Sequence, residues 1–358
     1  MTMTRRQWLA AGLTLPAVQC LSEVNAAVVD GNHLGIVAYS FQLRLGADRA
    51  GTASANVGDP LRFLDYCHSL GAGGIQLDLG VKDNSYVAKL RRQAESYGMY
   101  VEGSIRLPKA QADVDRFASE VRTAKEAGVQ VLRTVMMTGR RYELFDSADA
   151  FRRAADQAWQ SLVLAEPIVA REGMRLAIEN HKDWRVDELV GILRRLSSRH
   201  VGACVDLGNS IALLEDPMQV VEALAPFAFT THVKDMAVEE HDRGFLLSEV
   251  PLGEGFLDLS KMIETLRRHQ AGLRFNLEMI TRDPLQVPCL EAKYWASSEG
   301  LSGKYLAQTL SLVRRHKPQQ PLPRIRGLSK DQQLALEEKN VKKCLNYWDQ
   351  HLRPGKSD

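Results

Sequence analysis

Leu176-Ala177-Ile178-Glu179-Asn180-His181 is an apolar run that stops on a carboxylate, and the same sentence recurs three times downstream. Ala203-Cys204-Val205-Asp206-Leu207-Gly208-Asn209 ends on an aspartate, Thr230-Thr231-His232-Val233-Lys234-Asp235 on a histidine and a lysine, and Asn276-Leu277-Glu278-Met279 on a glutamate. Short β-rich runs of this kind, separated by stretches with helical period, read as buried parallel strands joined by helices.

Working outward, the same alternation begins near residue 34. The remaining runs are Leu34 to Phe41, Gly74 to Leu79, Tyr100 to Ile105 and Val129 to Met136, which with those at Arg175, Val201, Phe229 and Phe275 make eight. Between them, Asp59-Pro60 and Asp216-Pro217 open helices with a capping aspartate and a proline at the first helical position. Further helices are expected over 85–97, 112–127, 147–171, 186–198, 259–270 and 303–315. Eight strands each followed by a helix predict a closed α/β (β/α)₈ TIM barrel, with an open doubly wound sheet as the alternative. A three-proline linker after Arg315 and a helix from Ser329 to Leu352 form a C-terminal helical extension, whose apolar positions Leu334, Leu336, Val341, Leu345 and Trp348 suit a face docked on the barrel. The domain reading is 1–27 leader, 28–316 barrel and 317–358 linker and helix.

The chain has 358 residues, 45% hydrophobic and 25% charged, with 46 Lys plus Arg against 44 Asp plus Glu. A net charge of +2 carries no nucleic-acid signature. Five cysteines without CxxC spacing predict neither a zinc knuckle nor a disulfide framework. Arg5-Arg6-Gln7-Trp8-Leu9, the apolar stretch from Ala10 to Leu21 and the small-residue site at Val24-Asn25-Ala26 resemble a twin-arginine (Tat) export signal. The expectation is a periplasmic or secreted protein that uses the Tat machinery, with no membrane insertion after cleavage.

In such a barrel the chemistry sits where strands end. Glu179, Asp206, His232 and Glu278 fall at the ends of four consecutive strands, three carboxylates and one imidazole, a donor set for one divalent ion: Mn²⁺ first, with Mg²⁺, Co²⁺ or Zn²⁺ as alternatives. His181 and Lys234, two residues beyond a ligand, are candidate acid/base groups. Tyr39 and Phe41 are candidate walls for a sugar ring, Gln76, Asp78 and Arg106 candidate pocket residues, and 283–300 a candidate cover over the mouth.

Glu-Asn-His, Val-Asp-Leu-Gly-Asn, His-Val-Lys-Asp, Pro251-Leu252-Gly253-Glu254-Gly255 and Leu-Glu-Met together resemble the xylose-isomerase-like TIM barrels, the sugar isomerase/epimerase superfamily, over about residues 34 to 316. In its tagatose-3-epimerase-like branch the resemblance implies that Glu179 and Glu278 bind the metal and flank the reacting carbon, one removing a proton and the other returning it through a metal-bound enediolate. It also implies a substrate contact for Arg243, while Glu102 at the third strand and Trp184 after the fifth are candidate substrate contacts by position. The endonuclease branch needs histidines that are absent here: Gln76, Asp78, Glu102 and Asn209 stand in their regions. The expected function is therefore a sugar isomerase or epimerase acting on a small carbohydrate. The alternatives are a carbon-oxygen lyase eliminating from 3-keto-glycosides, and a non-catalytic carbohydrate-binding barrel. A homo-oligomer is compatible with the sequence.

Overall fold

The computed structural model describes residues 33–51, 56–298 and 300–353, so the expected leader, 1–27, lies outside the described residues. The strands are β1 (Gly35–Val37), β2 (Gly74–Asp78), β3 (Tyr100–Ser104), β4 (Val131–Thr134), β5 (Arg175–Glu179), β6 (Val201–Asp206), β7 (Ala228–Val233), β8 (Asp235–His241), β9 (Gly244–Val250), β10 (Phe275–Leu277) and β11 (Leu285–Val287). The α-helices are α1 (Gln42–Arg49), α2 (Pro60–Ser69), α3 (Asn84–Tyr97), α4 (Val114–Glu126), α5 (Arg141–Leu144), α6 (Ala148–Glu172), α7 (Val186–Leu196), α8 (Pro217–Leu224), α9 (Leu259–His269), α10 (Ala292–Trp295), α11 (Gly303–Arg315) and α12 (Lys330–Tyr347).

Eight strands close a parallel barrel in the order β1-β10-β7-β6-β5-β4-β3-β2, as the alternation predicts. Neighbouring strands are staggered: Glu179 pairs with Cys204, and Asp206, two residues further on, pairs with His232. Stagger of this sense belongs to strands that tilt around a closed barrel. The helix starts hold, with Asp59, Asp83, Ser147, Asp216 and Asp258 each accepting a backbone N–H inside its helix, and Pro60 and Pro217 at the first turn. The Leu34 to Phe41 run is cut short, because Ala38–Phe41 turns as a 3₁₀ helix leading into α1.

Two features depart from the expected layout. The first is an antiparallel sheet, β11-β9-β8, built on the hairpin that follows β7; it includes part of the 283–300 segment expected to be a loop cover. It packs with the 3₁₀ turn after β6, Tyr142, Tyr294 and Val313 of α11 into a second apolar cluster. The second is the place of the C-terminal helix. α11, the expected eighth barrel helix, packs against β8 and β9. Val341, Cys344, Leu345, Trp348 and Leu352 of the C-terminal segment instead join the main barrel core, and the Trp348 ring lies 5.4 Å from that of Phe275 at the start of β10. The C-terminal segment is bonded on both sides: the Tyr66 hydroxyl of α2 donates to Glu338 of α12 at 2.9 Å, and Arg267 of α9 donates to the carbonyl of Leu352, just beyond α12, at 3.1 Å. It thus fills the position of the eighth barrel helix.

The barrel interior is polar towards its lower end. Tyr100 lies across the strands there, its hydroxyl donating to the Phe275 carbonyl at 3.0 Å and Asn276 Oδ1 at 3.1 Å. Gly35 and Gly74 make room for it, since a Cβ at either position would fall within 2.4 Å of the tyrosine.

Candidate metal centre

Glu179 is the last residue of β5 and Asp206 of β6, His232 is next to last in β7, and Glu278 follows β10. The four are buried, and each offers a ligand atom within 4.8 Å of the others. His232 Nδ1 lies 3.4 Å from Glu179, 3.5 Å from Glu278 and 3.9 Å from Asp206. The opposite ring nitrogen, Nε2, is 2.7 Å from Gln76 Oε1, an acceptor, so the network places a proton on Nε2 and makes Nδ1 the nitrogen that faces the three carboxylates; against burial, the surrounding acidic groups raise the ring's pKa well above its usual value, and a cation held there would take the place of the Nδ1 proton. His232 Nδ1 and Asp206 Oδ2 are buried without a hydrogen-bond partner. A donor set of this kind, three carboxylates and one imidazole nitrogen at the catalytic end of a barrel, fits a divalent cation.

Cations brace the carboxylates. Arg133 of β4 donates to Glu179 Oε2 through Nε at 2.6 Å, and Asn209 Nδ2 donates to Glu179 Oε1 at 3.0 Å, so both oxygens of Glu179 are engaged. Burial acts to raise the Glu179 pKa, but Arg133 and His232 outweigh it and hold the carboxyl well below its usual range. Lys234 bonds Glu278 Oε2 and lies 2.7 Å from Asp206 Oδ2, outside hydrogen-bond alignment. Against the same burial, Lys234 and His232 bring Glu278 down to about 2, while the carboxylates keep Lys234 charged above its ordinary range despite burial. For Asp206 burial wins and the shift is upward. Asp235 plays a structural part: its carboxylate accepts the backbone N–H groups of Met236, Gly253, Gly255 and Leu257, tying the end of β7 to the Pro-Leu-Gly-Glu-Gly turn.

His181 sits beside this cluster, and burial lowers it to about 4, so its ring is neutral at pH 7. Three other candidates lie elsewhere. Arg243 is at the tip of the β8–β9 hairpin, exposed and paired with Glu291, because the segment around it turns back as a hairpin. Trp184 packs in the core with its ring 5.5 Å from Phe151. Glu102 is fully buried inside the barrel, bonded to Gln76, Thr230 and Asn276. Phe41 is core against Phe63 and Tyr66, and Tyr39 is exposed. Sequence reasoning missed Arg133, Lys182, Glu249 and Arg282. Arg282 pairs with Glu249 of β9, and Lys182 is buried with Asn209 Oδ1 as its hydrogen-bond partner and no carboxylate in contact; burial, then Lys234, lowers it to about 8. An arginine inside an otherwise buried β4 strand was the available signal for Arg133.

A family model described as the xylose isomerase-like TIM barrel matches residues 64–299. Among curated proteins, the 3-oxo-isoapionate decarboxylase of Pectobacterium atrosepticum is 25% identical over 249 residues, 67% of this chain and 82% of that protein. Among solved structures, an L-ribulose 3-epimerase aligns with a TM-score of 0.51 at 13% identity, covering 91% of this chain and 99% of the other. A D-allulose 3-epimerase from Methylomonas sp. aligns with a TM-score of 0.51 at 13% identity, covering 89% and 98%. At these identities the two structures speak to the fold alone.

Proposed function

The chain belongs to the xylose isomerase-like TIM barrel family, and from that premise we propose that it is a divalent-metal-dependent enzyme moving a proton at the carbon beside the carbonyl of a sugar or sugar-derived substrate, as an isomerase or epimerase. The observation that carries this reading is the convergence of Glu179, Asp206, His232 and Glu278, with His232 Nδ1 lacking a hydrogen-bond partner and Asp206 Oδ2 meeting only the Lys234 ammonium as an ion pair. Polarisation of a substrate carbonyl and its neighbouring hydroxyl is the chemistry a bound divalent ion supplies.

The protein's own groups divide the remaining work unequally. Glu278 takes the proton, since its Oε1 has no closer partner than His232 Nδ1 at 3.5 Å, whereas Asn209 and Arg133 occupy both oxygens of Glu179. Glu179, held on both oxygens, is the more constrained of the two and returns the proton on the opposite face when the carbon is inverted. Lys234 keeps a positive charge beside Glu278 and donates hydrogen bonds to substrate oxygens, and the neutral His181 ring accepts one.

A second reading is decarboxylation of a 3-oxo acid. The relative's printed activity supports it, as does Lys182, a buried ammonium with no carboxylate in contact that would pair with a substrate carboxylate. The electron pair left on carbon as carbon dioxide departs is the same one that proton removal leaves, so one site serves both. The Mn²⁺-loaded protein in D₂O, given D-fructose, D-tagatose, L-ribulose, a 3-keto-glycoside and 3-oxo-isoapionate, tests the choice. Deuterium at the carbon beside the carbonyl with the substrate skeleton intact is the expected result. Carbon dioxide release would establish the second reading, loss of the aglycone would indicate elimination, and no turnover of any substrate would contradict an enzyme of this class. We further propose that residues 1–27 export the folded chain; an Arg5→Lys/Arg6→Lys variant should stay in the cytoplasm on cell fractionation, and unchanged export would contradict it.

A further inference from the structure

A chain of hydrogen bonds runs up the inside of the barrel to His232, and every link has a fixed direction. The Asn276 amide nitrogen donates to Glu102 Oε2 at 2.9 Å, which turns its Oδ1 to the Tyr100 hydroxyl at 3.1 Å. Thr230 Oγ1 donates to the same oxygen at 2.6 Å, and Gln76 Nε2 at 3.1 Å. Burial raises the Glu102 pKa, but three donors on this one oxygen make it an acceptor in either protonation state. Gln76 must then offer its amide nitrogen to Glu102, which leaves only its carbonyl for His232 Nε2, 2.7 Å away.

We infer that Glu102 and Gln76 are positioning residues for the metal centre: the buried carboxylate orients the Gln76 amide, and the amide locks His232 with its proton on Nε2 and its Nδ1 lone pair among Glu179, Asp206 and Glu278. Metal-binding histidines commonly give their second N–H directly to a carboxylate or a carbonyl, and losing that partner typically weakens binding about 10–100-fold. Here an amide is interposed, so control passes to a carboxylate that does not touch the histidine. If Gln76 rotated, its NH₂ would face Nε2, the imidazole proton would move to Nδ1, and the ligand lone pair would be lost. The inference rests on the metal-centre reading of the four residues.

The order of donors and acceptors suggests the test. Glu102→Met removes the acceptor and frees Gln76 to turn. In the double variant Gln76→Glu/Glu102→Gln, the carboxylate at 76 accepts from His232 and from the amide at 102, whose carbonyl accepts from Thr230 and Asn276, so the order is restored with the groups exchanged. Mn²⁺ dissociation constants are measured by titration on the purified proteins, with folding checked by circular dichroism. The single variant is expected to bind Mn²⁺ about tenfold or more weakly, and the double variant to recover most of that loss. Affinity unchanged in Glu102→Met, or a double variant no better than the single one, would overturn the inference. A wild-type protein that takes up no divalent ion would instead sink the metal-centre reading and the inference with it.

Discussion

The two sides of the barrel contribute different things to one site. β5, β6, β7 and the end of β10 bring the four candidate ligands, while β2, β3 and β4 bring Gln76, Glu102 and Arg133, which hold those ligands without offering an atom to the same point. The ligand side supplies donors that a cation can use, and the holding side fixes which oxygen or nitrogen is free to be used. An active centre of this kind is set as much by the groups that occupy the wrong lone pairs as by those that leave the right ones bare.

The largest effect should come from the ligand side. Asp206→Asn is expected to abolish tight divalent-ion binding and to lower kcat/KM about 10³-fold, the scale of several kcal/mol of lost charge stabilisation. Steady-state kinetics at saturating Mn²⁺ would check this, and a variant within a few-fold of wild type would erase the distinction between the two sides. Arg133→Met tests the holding side. It leaves Glu179 buried without its cation, which should destabilise the metal-free protein by about 3 kcal/mol or more in urea unfolding.

The holding role extends to α12. Glu337 is buried and accepts the Leu43 and Arg44 backbone N–H groups at the start of α1, and Asn340 donates to Thr281 in the segment after β10. Burial raises Glu337 to about 7. For an acid raised in the folded state, the stabilising contribution is present below its ordinary value near 4.5 and is lost as the pH rises through about 7. Thermal melts should therefore show stability falling as the pH rises from about 4.5 to about 7, a window in which the buried Asp183 and Glu215 also titrate, and Glu337→Gln should make that limb shallower by no more than about 3 kcal/mol. Smallest of all, Arg243→Ala should leave kcat/KM unchanged, because its partner Glu291 lies with it at the exposed hairpin tip.

How far the site was legible in sequence follows the same division. The four ligands could be read because each interrupts an apolar run at a strand end, where a buried charge has no packing role to play. Arg133, Gln76 and Glu102 act through partners on other strands, and nothing local marks a polar residue inside a strand as the neighbour of a particular histidine. The β8–β9 hairpin was masked by its charged tip, although Gly244, with φ of +146° and no room for a Cβ beside the Val287 carbonyl, is the turn signal. Helical period located both α11 and α12, but amphipathicity shows that a helix has an apolar face and leaves open which surface it covers. The three-proline linker sends the chain past the antiparallel sheet before α12 takes its place between α2 and α9, a choice made by long-range packing of Trp348 on Phe275.

The most direct test of the central claim is elemental analysis of the purified protein, made in parallel with His232→Asn. About one divalent ion per wild-type chain, lost in the variant, is what the bare Nδ1 among three carboxylates predicts. No ion in the wild-type protein after equilibration with Mn²⁺, or one retained undiminished by His232→Asn, would contradict it.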